Sequence, residues 1–152
     1  MFKLVVLIVS LNSNCTGFIL SDGFVVTAAH CPKEGTANGN KFVFVKADTK
    51  LDVMLLKTPV KGKAKFAYTQ LGEEVSVLGY SGSELQMLTK GHVASFQGDY
   101  ILLDITVFKG ESGSAVFNKR GEIVAMVVGG VSDGHMNLVV ALSSAKIRGF
   151  VK

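Results

Sequence analysis

Phe108-Lys109-Gly110-Glu111-Ser112-Gly113-Ser114-Ala115-Val116-Phe117 sets Ser112 in a run of small residues beside an apolar segment. A serine hydroxyl is a poor nucleophile near neutral pH unless a base takes its proton and donors stabilise the oxyanion it creates. Glycines at 110 and 113 allow a tight turn that can aim backbone N–H groups at such an oxyanion. Taken alone, the same stretch also fits an ordinary strand connection built from turn residues. The surrounding chain decides between the two.

A chain of 152 residues, 48% of them hydrophobic, can build one ordinary domain or two small subdomains with a shared interface. Seventeen glycines against two prolines, with many short apolar runs rich in Val, Ile, Leu and Phe, favour an all-β chain over a helical bundle. No apolar run reaches the ~20 residues that span a bilayer, so no membrane association is expected. Met1-Phe2-Lys3 followed by Leu4 to Val9 is signal-like, but the apolar run is short and no small-residue cleavage site follows, so it reads as a strand. The net charge of +4 is mostly lysine, with a cluster at Lys57, Lys61, Lys63 and Lys65 that reads as a solvated linker. With little arginine for base readout, no nucleic-acid partner is expected.

Strands are expected over 4–11, 16–20, 24–27, 41–45 and 51–56, the last with Asp52 near its start. Thr58 to Lys63 reads as a linker. Further strands are expected near 66–70, 74–80, 88–96, 100–108, 114–118, 122–129 and 137–142, then a short helix over 143–151 capped by Ser143 or Ser144. Two groups of about six short strands predict two antiparallel six-stranded barrels. Residues 1–60 would form the N-terminal barrel with His30 and Asp52, and residues 61–152 the C-terminal barrel with Ser112, together one domain. Cys15 and Cys31, the two cysteines, flank the hairpin leading to His30 and can be bridged or free.

His30 stands at a strand end, Asp52 enters a strand and Ser112 lies in the glycine-rich turn. An imidazole can take and return a proton near neutral pH, a carboxylate can fix its tautomer, and a serine can carry an acyl group. Thr27-Ala28-Ala29-His30-Cys31, Asp52-Val53-Met54-Leu55-Leu56-Lys57 and Gly110-Glu111-Ser112-Gly113-Ser114 resemble, in that order, the histidine, aspartate and serine motifs of the chymotrypsin/trypsin-like serine peptidases. Val75 to Gly79, Thr89 to Val93 and Gly121 to Ala125 resemble the HtrA/Deg-type branch. Ser114 and Ala115 replace the usual Gly and Pro, as in compact viral and bacterial relatives.

The resemblance implies His30 as general base and acid, Asp52 as its orienter, Ser112 as nucleophile, and the N–H groups of Gly110 and Ser112 as the oxyanion hole. It implies a Cys15–Cys31 disulfide, a substrate edge at Val128, Gly129 and Gly130, and a pocket near Thr106, with His135 a candidate for a preference for acidic or amide side chains. Thr106 replaces the basic-selective carboxylate of trypsin. Glu111 replaces the usual Asp, and no trypsin-style activation is expected.

The expected function is a serine endopeptidase acting on protein or peptide substrates as a monomer, without metal or cofactor. The alternatives are a catalytically inactive protease fold used as a binding module, or a basic nucleic-acid-binding barrel. A secreted or extracytoplasmic setting is expected if the cysteines are bridged, and the cytoplasm of a host or bacterial cell otherwise.

Overall fold

The computed structural model describes residues 4–11, 13–21, 23–82, 85–132 and 137–152, of which 131, 132 and 137 by their backbone. The chain runs through β1 (Val5–Val9), β2 (Asn14–Ser21), β3 (Phe24–Thr27), β4 (Thr36–Ala37), β5 (Asn40–Lys41), β6 (Val43–Asp48) and β7 (Val53–Lys57). It continues with β8 (Glu74–Ser81), β9 (Leu85–Gln97), β10 (Tyr100–Asp104), β11 (Ala115–Phe117), β12 (Ile123–Ser132), β13 (Asn137–Ser143) and α1 (Ser144–Val151).

The first seven strands form one antiparallel sheet in the order β5-β4-β1-β2-β3-β7-β6. The remaining six close into a barrel in the order β10-β13-β12-β11-β8-β9, because β9 and β10 also pair with each other. The N-terminal half departs in detail from a closed six-stranded barrel. Its sheet ends on β5 and β6, consecutive pieces of one stretch broken at Phe42, whose buried side chain turns into the core. The break lets 40–41 pair with β4 and 43–48 pair with β7.

Alternation along the barrel strands divides their side chains between two cores. On β8, Val77 faces the barrel interior with Val93, Leu103 and Val127, while Leu78 joins a cluster with Val6, Phe18, Met54 and Leu56 of the first sheet. On β11, Val116 and Phe117 divide the same way. The larger cluster therefore runs through the contact between the halves, so burying the outer faces of β8 and β11 also fixes how the two halves sit.

Several expected elements differ. Residues 66–70 form no strand beyond a single bridge from Phe66 to Ile123; Phe66 instead packs edge-on against Phe18, with ring centroids 6.4 Å apart. The expected strand over 100–108 ends at Asp104, freeing 105–114 to form the serine-bearing loop. The loop after His30 holds the small β4–β5 hairpin, turned by Asn38 and Gly39, both at positive φ. Residues 51 and 52 belong to a turn rather than a strand, with Asp52 at φ +65°. At the start of α1, Ser143 takes the capping position with extended backbone but its side chain makes no capping bond, and the Ser144 hydroxyl instead donates to Ala67 O at 2.8 Å.

Candidate active site

His30 lies just past β3, at the exposed rim of the first sheet, and Asp52 in the turn before β7, which pairs with β3. The register between these strands, from Phe24 opposite Lys57 to Thr27 opposite Met54, brings the two residues together. Asp52 engages His30 twice: its Oδ2 lies 2.6 Å from the ring Nδ1, and its Oδ1 accepts the His30 backbone N–H at 2.9 Å. A carboxylate only accepts, so the neutral imidazole carries its proton on Nδ1 and leaves Nε2 as the acceptor.

The hydrogen bond to Asp52 raises the pKa of His30 above the ordinary imidazole value; burial opposes this, and the carboxylate's charge adds to it. Burial works against the Asp52 carboxylate, yet the bonds from the His30 ring and backbone, the imidazole charge and the Ala29 backbone together hold its pKa below the usual range. Each partner therefore favours the charged state of the other.

Ser112 comes from the other half, in the loop between β10 and β11. Its carbonyl accepts the Thr16 N–H of β2 at 2.9 Å and lies 3.9 Å from the Cys31 sulfur, next in sequence to His30. Cys31 is bridged to Cys15, tying the His30 end of the hairpin to β2. Gly113 fits where nothing larger could, since a Cβ there would stand 2.0 Å from Thr16 O. Among the described residues the Ser112 hydroxyl makes no hydrogen bond to His30, so the structure joins His30 to Asp52 and brings the Ser112 backbone against the disulfide beside them.

The loop before Ser112 has a defined turn. Glu111 N–H donates to Phe108 O at 3.1 Å and Gly110 has φ +100°, while Lys109 is not at positive φ, which is a type II turn over 108–111. Neither the Gly110 nor the Ser112 N–H is spent on a backbone bond among the described residues, whereas those of Glu111, Gly113 and Ser114 are. Two N–H groups flanking Glu111 are thus left for an outside acceptor.

Glu111 itself is fully buried. Its Oε2 accepts the Phe108 N–H at 2.7 Å, and its Oε1 is buried without a partner, as is the Ser114 hydroxyl. Burial raises the Glu111 pKa, only partly offset by the Phe108 N–H.

Of the remaining candidates, Thr106 and Gly130 line one open cavity of about 640 Å³, with Val107, Leu138 and Val139 supplying apolar wall and His92 at its edge. Val128 packs against the core between the halves, and nothing lies within 4 Å of where a Cβ on Gly129 would stand. His135 lies outside the described residues. No group of three His, Cys, Asp or Glu among the described residues is arranged to hold a metal ion.

Sequence reasoning missed Thr16. Wholly buried between the halves, its hydroxyl donates to Gly110 O at 3.0 Å and accepts the Tyr80 N–H at 2.9 Å, while its carbonyl accepts from the Thr27 hydroxyl at 2.7 Å. Its bonds join β2, β3, β8 and the serine loop, and nothing in the local pattern around Cys15-Thr16-Gly17 signals contacts so distant in sequence.

The family described as trypsin-like peptidase domain matches residues 15–126. The chain belongs to the trypsin-like peptidases. A glutamyl endopeptidase of Staphylococcus aureus is 30% identical over 89 residues, covering 57% of this chain and 27% of the relative. The anti-sigma-I factor RsgI9 of Acetivibrio thermocellus is 28% identical over 148 residues, 84% of this chain and 21% of that protein. The trypsin-like peptidase chain thus spans roughly a fifth to a quarter of the length of these curated relatives. In architecture it is similar to the inactive form of Rv3671c protease from M. tuberculosis, with a TM-score of 0.85 at 24% identity, covering 97% of this chain and 86% of that one. A serine-to-alanine mutant of the same protein, also in an inactive form, gives a TM-score of 0.86 at 23% identity, covering 98% and 85%. These likenesses carry the two-unit, chymotrypsin-like fold.

Proposed function

We propose that this trypsin-like peptidase is a serine endopeptidase in which His30, Asp52 and Ser112 act as a triad. The observation that carries the reading is the double engagement of His30 by Asp52, which leaves Nε2 as the one ring nitrogen able to take a proton. Ser112 Oγ attacks the scissile carbonyl as its proton passes to Nε2. Asp52 stabilises the imidazolium that forms, and the N–H groups of Gly110 and Ser112 hold the oxyanion. His30 then returns the proton to the leaving amine, and water, activated by the same nitrogen, releases the acyl group from Ser112.

The substrate backbone would pair along Val128 to Gly130, with the side chain before the scissile bond directed toward Thr106 and the apolar wall of the 640 Å³ cavity. The Thr106 and Val107 side of that lining favours a small or apolar residue, while Lys90 and His92 in the same cavity, with Glu74 and Asp104, and the glutamyl endopeptidase relative make an acidic residue the first competitor to compare. The Cys15–Cys31 bridge supports an oxidising, secreted or extracytoplasmic setting.

One observation favours the binding-module alternative: the Ser112 hydroxyl and His30 are not hydrogen-bonded to each other. A peptide library separates the readings. Hydrolysis by wild type that falls by several orders of magnitude in Ser112→Ala supports the triad, because its members act as a unit. Tight binding of peptides without turnover, equal in both proteins, would replace it.

A further inference from the structure

We infer that Tyr100 is a positioning residue for Asp52, tying the turn that carries the acid to the half of the molecule that carries Ser112. The inference rests on the triad reading above and assigns to that site a residue from outside its motifs.

The Asp52 turn is held from inside by its own first residue. Asp48 Oδ1 accepts the N–H groups of Lys50 and Leu51, each at 3.0 Å, and Asp48 O accepts the Asp52 N–H at 2.9 Å. These bonds satisfy the amides and leave the carbonyls of Lys50 and Leu51 to other donors. Tyr100 supplies the donor: its hydroxyl lies 3.1 Å from Lys50 O and 3.3 Å from Leu51 O, so one proton is shared between two consecutive carbonyls. Asp52 follows directly at φ +65°, a left-handed conformation that Asp tolerates better than most residues with a Cβ and that the flanking turn bonds hold in place. A small rotation of the preceding peptides would swing the Asp52 carboxylate away from both of its His30 contacts.

Tyr100 is itself well anchored. It opens β10, opposite Gln97 of β9 and Leu142 of β13, and its ring packs against the cluster between the halves. The neighbouring Asp99 accepts Ser143 N–H through its carbonyl at 3.0 Å and is bridged to Lys146 of α1 at 3.3 Å. The charged groups facing the phenol are Asp48 and Asp52 from the turn and Asp99 from its own strand end; burial and these carboxylates raise its pKa, keeping the hydroxyl protonated as the donor. The chain thus connects α1 and the C-terminal barrel to the orientation of a carboxylate in the N-terminal half.

Tyr100→Phe removes the hydroxyl and keeps the ring. The variant's kcat should fall about fivefold, the worth of one ordinary hydrogen bond, at unchanged KM. The acid limb of the kcat/KM profile should move to lower pH, because a less well-held Asp52 raises the His30 pKa less. Two-dimensional NMR of the imidazole in a Ser112→Ala background gives the same quantity without turnover: the His30 pKa should fall when Tyr100→Phe is added. A pKa and kcat both unchanged in a folded Tyr100→Phe protein would overturn the inference and reduce Tyr100 to packing. If wild type hydrolyses no peptide, the triad reading fails separately, and the NMR comparison alone still decides whether Tyr100 controls the Asp52–His30 contact.

Discussion

Asp52 accepts two hydrogen bonds from one histidine, and the two bonds answer different needs: the ring contact sets the tautomer, and the backbone contact sets where the carboxylate stands. Asp52→Asn can keep the geometry while favouring the wrong tautomer, so kcat should fall by about 10⁴ as in the general triad template, read by steady-state hydrolysis. The pair also fixes a pH dependence. His30, with its pKa raised, stabilises the fold fully below its ordinary value near 6.5 and loses that contribution as pH rises through the folded value; Asp52, lowered, contributes above its ordinary value and loses it as pH falls through the folded one. In the proposed triad hydrolysis requires neutral His30, so activity should appear only above the pH at which a free imidazole titrates. Glu111 behaves in the opposite sense to Asp52. Its raised pKa places its best contribution at low pH and costs stability as pH rises through the folded value. Glu111→Gln should therefore gain melting temperature relative to wild type as pH is raised from acid to alkaline; a difference independent of pH would mean the carboxyl ionises as freely folded as unfolded. Sequence alone pointed to the His30, Asp52 and Ser112 types because each stands in a short motif. The partnerless Glu111 oxygen and the Thr16 bonds were not legible, because both depend on packing between strands far apart in the chain.

The 108–111 turn and the disulfide hairpin are the elements that shape the site. Gly110 cannot be replaced cheaply: at φ +100° a Cβ would stand 2.5 Å from Gly82 N and 2.7 Å from Tyr80 O. Gly110→Ala should drive the peptide out of the type II turn and lower kcat by roughly 10²–10³, the cost of losing one oxyanion donor, checked by hydrolysis alongside the melting temperature. The Cys15–Cys31 bridge, with a sequence separation of 16, should contribute about 3 kcal/mol by restricting the unfolded chain. Denaturant titration with and without reductant reads that difference. Most strands were legible from alternation and turn residues, as in β8, β12 and β13. The misread elements have physical causes. Leu51-Asp52 precedes an apolar run but is held in a turn by Asp48, and residues 105–108 look strand-like by composition although Ile105 packs into the barrel interior and Phe108 bonds to Glu111 within its own turn rather than in a ladder.

At the scale of the molecule, the two halves meet through one continuous apolar cluster and through polar bonds that include those of Thr16 and Tyr100 and the Lys46 ammonium donating to Phe150 O. The all-β, two-unit architecture was legible because period-two patterning and turn spacing survive in every half. The curled, seven-stranded form of the first sheet was not, since β4 and β5 are two residues each and Phe42 alone decides where one stretch changes partners. In the proposed mechanism the Ser112 hydroxyl, carried by one half, is activated by the His30–Asp52 pair carried by the other. Intact-mass spectrometry after treatment with a fluorophosphonate measures that directly, with wild type and Ser112→Ala compared. One adduct on wild type and none on Ser112→Ala is the predicted result; no adduct on folded wild type, or equal labelling of both proteins, would contradict the account.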